Sequence, residues 1–321
     1  MPILPAIVCG MLGAVAAGIY ATHSRSKGHA SEVVASNVSA TATAAPVARA
    51  NPASTSRDNL VPTPPAGDLI QQVIQRLASH DTLSAKISLS SGLFGESLIA
   101  TGQYLQGPRD SRRLRLELKV KLGDKACSLQ QVSDGQALWI QQTTLTQSRL
   151  SRVDVPRAVA GLQQTGFRPG VDVLALGGLP ALIDSLNRSF DFQAVRSEKL
   201  GNMPTYVVLG VWKQAALGQL MPDQKQAIDG GAAADLSRLP VYTPNQVEIY
   251  IGRDDLFTYQ VDYLRAATVG RHSHNDNVLA RVKFVDVHFD TPIDPAQFVY
   301  QTRDAVPVDD TDAFLQRMQR R

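Results

Sequence analysis

The densest group of side chains that could bind a metal ion lies at residues 272–276. His272, His274 and Asp276 carry imidazole and carboxylate groups, a ligand set suited to zinc when a further ligand comes from elsewhere in the fold. The segment stands between two predicted strands, however, and its polar composition is typical of a hairpin loop. We therefore expect a solvated loop here, with metal binding as the lesser alternative.

Pairs of acidic residues are the next candidates for chemistry. Asp254 and Asp255 are adjacent, and Asp309, Asp310 and Asp312 are clustered near the end of the chain. Such groups could form an acid pair or a calcium loop, but both sets fall in predicted turns, which favours helix caps and solvated charges. No nucleophile elbow, phosphate-binding loop or zinc-protease motif is present in the sequence. The sequence predicts a protein that is not an enzyme and has no cofactor or bound metal.

Composition excludes other classes of protein. The chain has 321 residues, of which 44% are hydrophobic and 19% charged, and its net charge is +3. This charge is too small and too scattered for a nucleic-acid-binding protein. The two cysteines, Cys9 and Cys127, are far apart in the sequence, so neither an internal disulfide nor a cysteine-rich metal site is expected.

The amino-terminal segment predicts attachment to a membrane. Residues 3–21 contain no charge, and about 20 apolar residues span the hydrocarbon core of a bilayer. We assign residues 1–23 to a transmembrane helix that acts as a signal anchor, with a cleaved signal peptide as the alternative. Arg25 and Lys27 follow the apolar run, and by the positive-inside rule they favour a cytoplasmic domain.

Residues 24–67 are rich in Ala, Ser, Thr and Pro and contain no aromatic residue. Such a composition cannot bury enough apolar surface to fold, so the segment is predicted to be a disordered tether. About 40 residues of coil have a root-mean-square span of roughly 35 Å. This length would allow a folded domain, residues 68–321, to stand away from the membrane.

The folded domain is predicted to contain an antiparallel sheet with helices inserted on one face. The clearest strand is 113–122, RLRLELKVKL, in which aliphatic and charged residues alternate with the period of two of a half-buried strand. Its basic side chains are therefore interpreted as a solvated face. Helices are predicted at 68–80, 156–163, 172–187, 213–229 and 311–320. The helix at 172–187 is expected to break at Gly177, Gly178 and Pro180.

Three passages resemble the LolA-like outer-membrane lipoprotein carriers. The sequence VSDGQALWI at 132–140 resembles the hairpin motif DGxxLW of that family. The sequence LARVKFVDVHFDTPIDPAQFVY at 279–300 is similar to the closing strand and proline-marked turn, and 252–263 fits the preceding hairpin. The resemblance implies an α+β fold, in which a curved antiparallel β-sheet forms an unclosed half-barrel with helices packed on its concave face. This chain departs from the family in its predicted anchor and in an extra segment at about 213–244.

The resemblance further implies a function and a location. The half-barrel would be tethered to the inner membrane, with its globular domain in the periplasm, and would hold a lipid or the acyl chain of a lipoprotein in an apolar cavity. The alternative is a regulatory or scaffolding module of the same fold that recognises an envelope protein partner. The residues predicted to face the ligand are Leu114, Leu116, Leu118, Val120, Trp139, Val282, Phe284 and Phe289.

Overall fold

A computed structural model describes residues 64–91, 98–108, 110–122, 125–165, 171–240, 243–265, 278–301 and 306–319. The predicted anchor, most of the predicted tether and the histidine loop at 272–276 lie outside these ranges. Twelve strands occur in the described part of the chain. They are β1 Leu83–Ser91, β2 Leu98–Gln106, β3 Arg113–Leu122, β4 Lys125–Asp134, β5 Ala137–Thr143, β6 Ser148–Asp154, β7 Phe190–Leu200, β8 Met203–Trp212, β9 Gln246–Gly252, β10 Thr258–Leu264, β11 Val278–Phe289 and β12 Val308–Asp309.

The α-helices of the described residues are α1 Ala66–Ser79, α2 Val155–Thr165, α3 Val171–Ser189, α4 Gln214–Leu220, α5 Lys225–Asp229 and α6 Thr311–Gln319. Two short 3₁₀ helices lie at Leu236–Arg238 and Pro295–Phe298. The helix predicted at 213–229 is wrong in one respect, because it consists of two helices. Pro222 lies between them, and a proline that lacks an N–H group disfavours a continuous helix.

All twelve strands form one sheet in the order β12-β6-β5-β4-β3-β2-β1-β11-β10-β9-β8-β7. Every neighbouring pair is antiparallel except β12 and β6, which are parallel. Within this sheet the end strands β12 and β7 are not paired with each other, so the barrel is unclosed. The predicted fold class, a curved antiparallel half-barrel with helices, is confirmed.

Strand β3 shows why the sheet has one apolar and one polar face. Leu114, Leu116, Leu118 and Val120 are buried, whereas the alternate residues from Arg113 to Lys121 are partly or fully exposed. The apolar face continues on the neighbouring strand, since Leu116 lies opposite Tyr104 of β2. We call this side the concave face and the other side the convex face. Full burial of one leucine side chain contributes about 2 kcal/mol to folding.

Helices α1 and α3 cover the concave face. The buried side of α1 presents Leu69, Ile70, Val73 and Leu77, which have the spacing of one helical face. Helix α3 packs against α1 and touches β3, β4 and β7. It therefore crosses the concave face from the middle of the sheet to the β7 edge.

The segment that follows β11 returns across the convex face. Arg115 donates from Nη1 to the carbonyl oxygen of Gln297 at 2.9 Å. The hydroxyl of Tyr300 donates to Gln141 Oε1 at 3.0 Å. Strand β12 then adds beside β6, and α6 packs against α2 with Phe314 fully buried. We call residues 290–301 the carboxy-terminal strap.

Candidate functional site

The concave face brings most of the predicted ligand-facing residues together. Leu114, Leu116, Leu118 and Val120 lie on β3, and their row continues through β2 and β1 to Val282 and Phe284 on β11. All six side chains are buried in one core cluster. Phe289 lies opposite Leu83 at the end of β11 and is partly buried against the same cluster. Whether any of them contacts a ligand remains a prediction.

Trp139 lies on the convex face, away from the others. It pairs with Val132, which in turn pairs with Arg115 on the solvated side of β3. Its indole stacks on the ring of Tyr300 in the strap, with centroids 5.4 Å apart. The register therefore separates Trp139 from the other seven predicted residues, and its contact with a ligand stays a prediction. The neighbours Leu138 and Ile140 are buried and occupy the concave positions, and the period of two leaves Trp139 on the other side.

Helix α3 is mostly apolar, and the exposed ion pair of Arg188 with Asp184 lies near its carboxy-terminal end. Its buried residues run from Val173 to Leu176, resume at Leu179, and include Leu182, Ile183 and Leu186. A helix that is hydrophobic all round is typical of a protein interior. Because it fills the concave side of the sheet, α3 occupies the space in which an apolar ligand of the half-barrel would lie.

The helix is interrupted at its centre, as the sequence predicted. Gly178 has the non-helical angles φ 68° and ψ −167°, a conformation that a side chain would strain. A Cβ atom at this position would also lie 2.3 Å from Gln106 Oε1. The backbone angles thus favour glycine here, and a larger residue would also displace the Gln106 side chain from its position.

Two side chains of β2 form hydrogen bonds at the interruption of α3. The backbone N–H of Leu179 donates to Tyr104 Oη at 3.0 Å and more weakly to Gln106 Oε1 at 3.3 Å. The hydroxyl of Tyr104 donates to Gln106 Oε1 at 2.7 Å. Tyr104 is completely buried, and this burial raises the pKa of its hydroxyl. We call Tyr104, Gln106 and Leu179 the helix latch. The sequence indicated the break in α3, but it gave no signal for the partners of that break on β2.

A cleft of about 440 Å³ opens beside the helix latch. This volume falls within the usual range for small-molecule sites. Its apolar wall includes Leu114 of the concave face, Val159 of α2 and Leu176 of α3. Gln106, Gly177 and Gly178 complete the inner wall. The cleft therefore leads from solvent to the point at which α3 is broken.

The outer rim of the cleft is polar and is built on a strained turn. Asp110, Arg112, Arg113 and His80 lie on this rim. Asp110 and Arg112 have positive φ angles of 65° and 51°, which residues with side chains adopt at a cost. Ser111 stabilises the turn, since its Oγ accepts from the N–H of Arg113 at 3.2 Å.

His80 joins the rim to the end of β11. Its Nδ1 lies 2.8 Å from Asp290 Oδ2, and its ring stacks on Phe289 with centroids 4.3 Å apart. Asp290 also accepts from the N–H of Asp81 at 2.7 Å. These hydrogen bonds hold the pKa of the Asp290 carboxyl below its ordinary value.

The acidic residues considered for catalysis have structural roles in the described residues. Asp255 accepts from the N–H of Phe257 and from the hydroxyl of Tyr259. Asp309 accepts from the N–H and the hydroxyl of Thr311 at the start of α6. Asp310 forms an ion pair with Arg149. Within the described ranges, no group of three His, Cys, Asp or Glu side chains is arranged to hold a metal ion.

None of the helices in the described part of the chain is both long enough and apolar enough to cross a bilayer.

Solved structures to which this chain is similar include a LolA superfamily protein from Nitrosomonas europaea. The two share 9% identity over 74% of this chain and 99% of the other, with a TM-score of 0.29. The lipoprotein LppX from Mycobacterium tuberculosis is 10% identical over 71% of this chain and 97% of its own, with a TM-score of 0.36. A structure of the MucA/MucB complex of Pseudomonas aeruginosa is 11% identical over 74% of this chain and 61% of the other, with a TM-score of 0.37.

No protein-family model matches the sequence. No curated protein matches it either.

Proposed function

We propose that the half-barrel binds the acyl chain of a lipid or lipoprotein on its concave face. The observation that carries this proposal is the position of the cleft. It joins solvent to an aliphatic wall at the break in α3, and both Leu114 and Leu176 line it. Transfer of acyl methylenes from water to such a wall is favourable by about 0.8 kcal/mol each.

Entry of a long acyl chain requires part of α3 to move away from the sheet. The amino-terminal half of α3 is joined to its remainder through Gly178, and the helix latch fixes that junction with hydrogen bonds of ordinary strength. Release of these bonds would let residues 173–177 swing away from β3. The ligand would then contact the leucines of β3 that α3 covers in this structure.

The same proposal includes the cellular location of the domain. A domain that receives acyl chains would be tethered by residues 1–23 to the inner membrane and would extend into the periplasm on residues 24–67. Protease treatment of intact spheroplasts tests this topology. Digestion of the domain from outside supports it, and full protection until lysis would instead favour the cytoplasmic orientation that Arg25 and Lys27 indicate.

The binding proposal is tested with a fatty acid that carries a diazirine near its methyl end. The full chain, in its membrane, is irradiated with this probe, and labelled peptides are mapped by mass spectrometry. We expect labels within 113–122 and 171–183, and we expect excess unlabelled fatty acid to reduce them. Labels confined to residues 1–23, where the bilayer itself supplies the probe, would contradict an acyl site in the half-barrel.

A further inference from the structure

The convex face carries a second recess, remote from the cleft. It has a volume of about 1210 Å³ and lies over β3, β2, β1 and β11. Its lining includes the short side chains of Ser88 and Thr101 as well as long, charged ones. We call it the convex trough. The residues used below are Lys86, Ser88, Ile99, Thr101, Glu117, Lys119, Lys121 and Asp286.

The charge of the convex trough is unbalanced. Asp286 forms an ion pair with Lys86 at 2.6 Å, and Glu117 forms one with Arg115 at 2.5 Å. Lys119 and Lys121 are exposed and form no ion pair among the described residues. The acidic groups of the trough are therefore already neutralised, and two lysines remain without an acidic partner there.

The register places hydrogen-bonding groups beside these lysines. Lys119 pairs with Thr101, Thr101 with Ser88, and Ser88 with Lys283 of β11. Neighbouring strands lie about 4.8 Å apart. Lys119 and Lys283, at the two ends of this row, are therefore roughly 14 Å apart, and the hydroxyls of Thr101 and Ser88 lie between them. Neither hydroxyl forms a side-chain hydrogen bond within the described ranges.

One exposed apolar side chain lies beside the two β3 lysines of the convex trough. Ile99 pairs with Ser90 on β1 and, by register, neighbours Lys121 on β3. It is 56% exposed, an unusual state for an isoleucine in the middle of a sheet. The trough thus combines positive charge, hydrogen-bonding hydroxyls and one apolar contact.

We propose that the convex trough binds an extended acidic peptide segment of a partner protein. Acidic side chains would meet Lys119 and Lys121, polar atoms of the peptide would bond Ser88 and Thr101, and an apolar side chain would rest on Ile99. A flat anionic bilayer is a poorer match, because the hydroxyls of Ser88 and Thr101 line a recess and stand in a row between Lys119 and Lys283. This surface is separate from the acyl site, and each can fail without the other.

The test uses the full chain in phosphatidylcholine nanodiscs. The probe is a fluorescein-labelled twelve-residue peptide of alternating Glu and Ser with one central Leu, and its binding is followed by anisotropy at low salt. The trough variant is Lys119→Gln with Lys121→Gln. The control is Lys199→Gln with Lys225→Gln, which removes the same charge from exposed positions elsewhere. We expect the trough variant to weaken binding at least tenfold and the control less than twofold.

A second comparison tests the apolar contact. Ile99→Thr is expected to abolish the advantage of the peptide with the central Leu over the same peptide with Ser at that position. Equal loss in both lysine variants would overturn the proposal, because binding would then reflect net charge alone. It would also be overturned if no peptide bound, or if vesicles containing phosphatidylglycerol bound through Lys119 and Lys121 while the peptide did not.

Discussion

Glu248 and Asp262 lie directly opposite each other on neighbouring strands of the convex face. Both side chains are buried, and like charges in such a pair repel. Arginines offset the repulsion from both sides. Arg196 contacts both carboxylate oxygens of Glu248 at 2.8 and 3.1 Å, and Arg281 contacts both oxygens of Asp262 at 2.8 and 2.7 Å. The β9–β10 pairing therefore depends on charges supplied by β7 and β11.

The first prediction concerns Arg281. Arg281→Met leaves the buried carboxylate of Asp262 without this arginine, and we expect a loss of about 3 kcal/mol in the free energy of unfolding. Urea denaturation measures it. Arg188→Met is the control, because the exposed pair of Arg188 with Asp184 on α3 contributes about 0.5 kcal/mol. Adding Asp262→Leu to Arg281→Met should recover most of the loss. Equal effects of the two single variants would contradict this account.

The second prediction concerns the helix latch. Tyr104→Phe removes one acceptor from the Leu179 N–H, and we expect a loss of about 1 kcal/mol together with faster hydrogen exchange of the Leu179 amide, by about fivefold. Tyr263→Phe is the matched control. Tyr263 is also buried on the concave face, but no hydrogen bond to its hydroxyl is seen among the described residues. Faster exchange in both variants would show that the latch does not specify the opening of α3.

The sequence predicts local features of this fold better than it predicts contacts between distant residues. The alternation in β3 and the glycines of α3 each determine a local structure, and both predictions are confirmed. The period of two places Trp139 on the face opposite to Leu138 and Ile140, but only the pairing of β5 with β4 shows that this face is the convex one. The partnership of Tyr104 with Leu179 joins residues far apart in the chain, and no periodicity in the sequence encodes it. The alternation of β3 predicts a solvated basic face, and Lys119 and Lys121 are exposed in the structure. The recess beside them is formed by four strands together, so no local pattern predicts it.

The third prediction concerns pH. Hydrogen bonds from His80 and Asp81 lower the pKa of Asp290, so its ionised form stabilises the fold above the ordinary carboxyl pKa of about 3.9, and this stabilisation is lost as the pH falls through the lowered value. Asp290→Asn keeps a residue that tolerates the positive φ of 53°. We expect the variant to be less stable than the wild type at pH 6, and we expect this difference to shrink as the pH falls below about 3.9, as measured by urea denaturation. A difference that persists unchanged at pH 2 would rule out the carboxylate as its source.

The fourth prediction uses Cys127 as a reporter of opening. The thiol is buried beside Val120, and burial raises its pKa, so less of it is the reactive thiolate. In a Cys9→Ser background, we expect a disulfide reagent at pH 8 to label the native protein at least 100-fold more slowly than the protein in urea. Comparable rates would mean that the β3–β4 end of the concave face is open to solvent.

The last prediction decides which face of the sheet contacts an acyl chain. Leu114→Asn places an amide on the concave wall of the cleft, and we expect it to reduce competable labelling by the diazirine fatty acid at least fivefold. Trp139→Ala removes the stacking contact with Tyr300 on the opposite face, and we expect it to lower stability by about 3 kcal/mol while leaving the labelling of 113–122 unchanged. Circular dichroism at the labelling temperature establishes that both variants are folded. The reverse result, with labelling lost only in Trp139→Ala, would place the ligand under the carboxy-terminal strap and remove the concave face from the function.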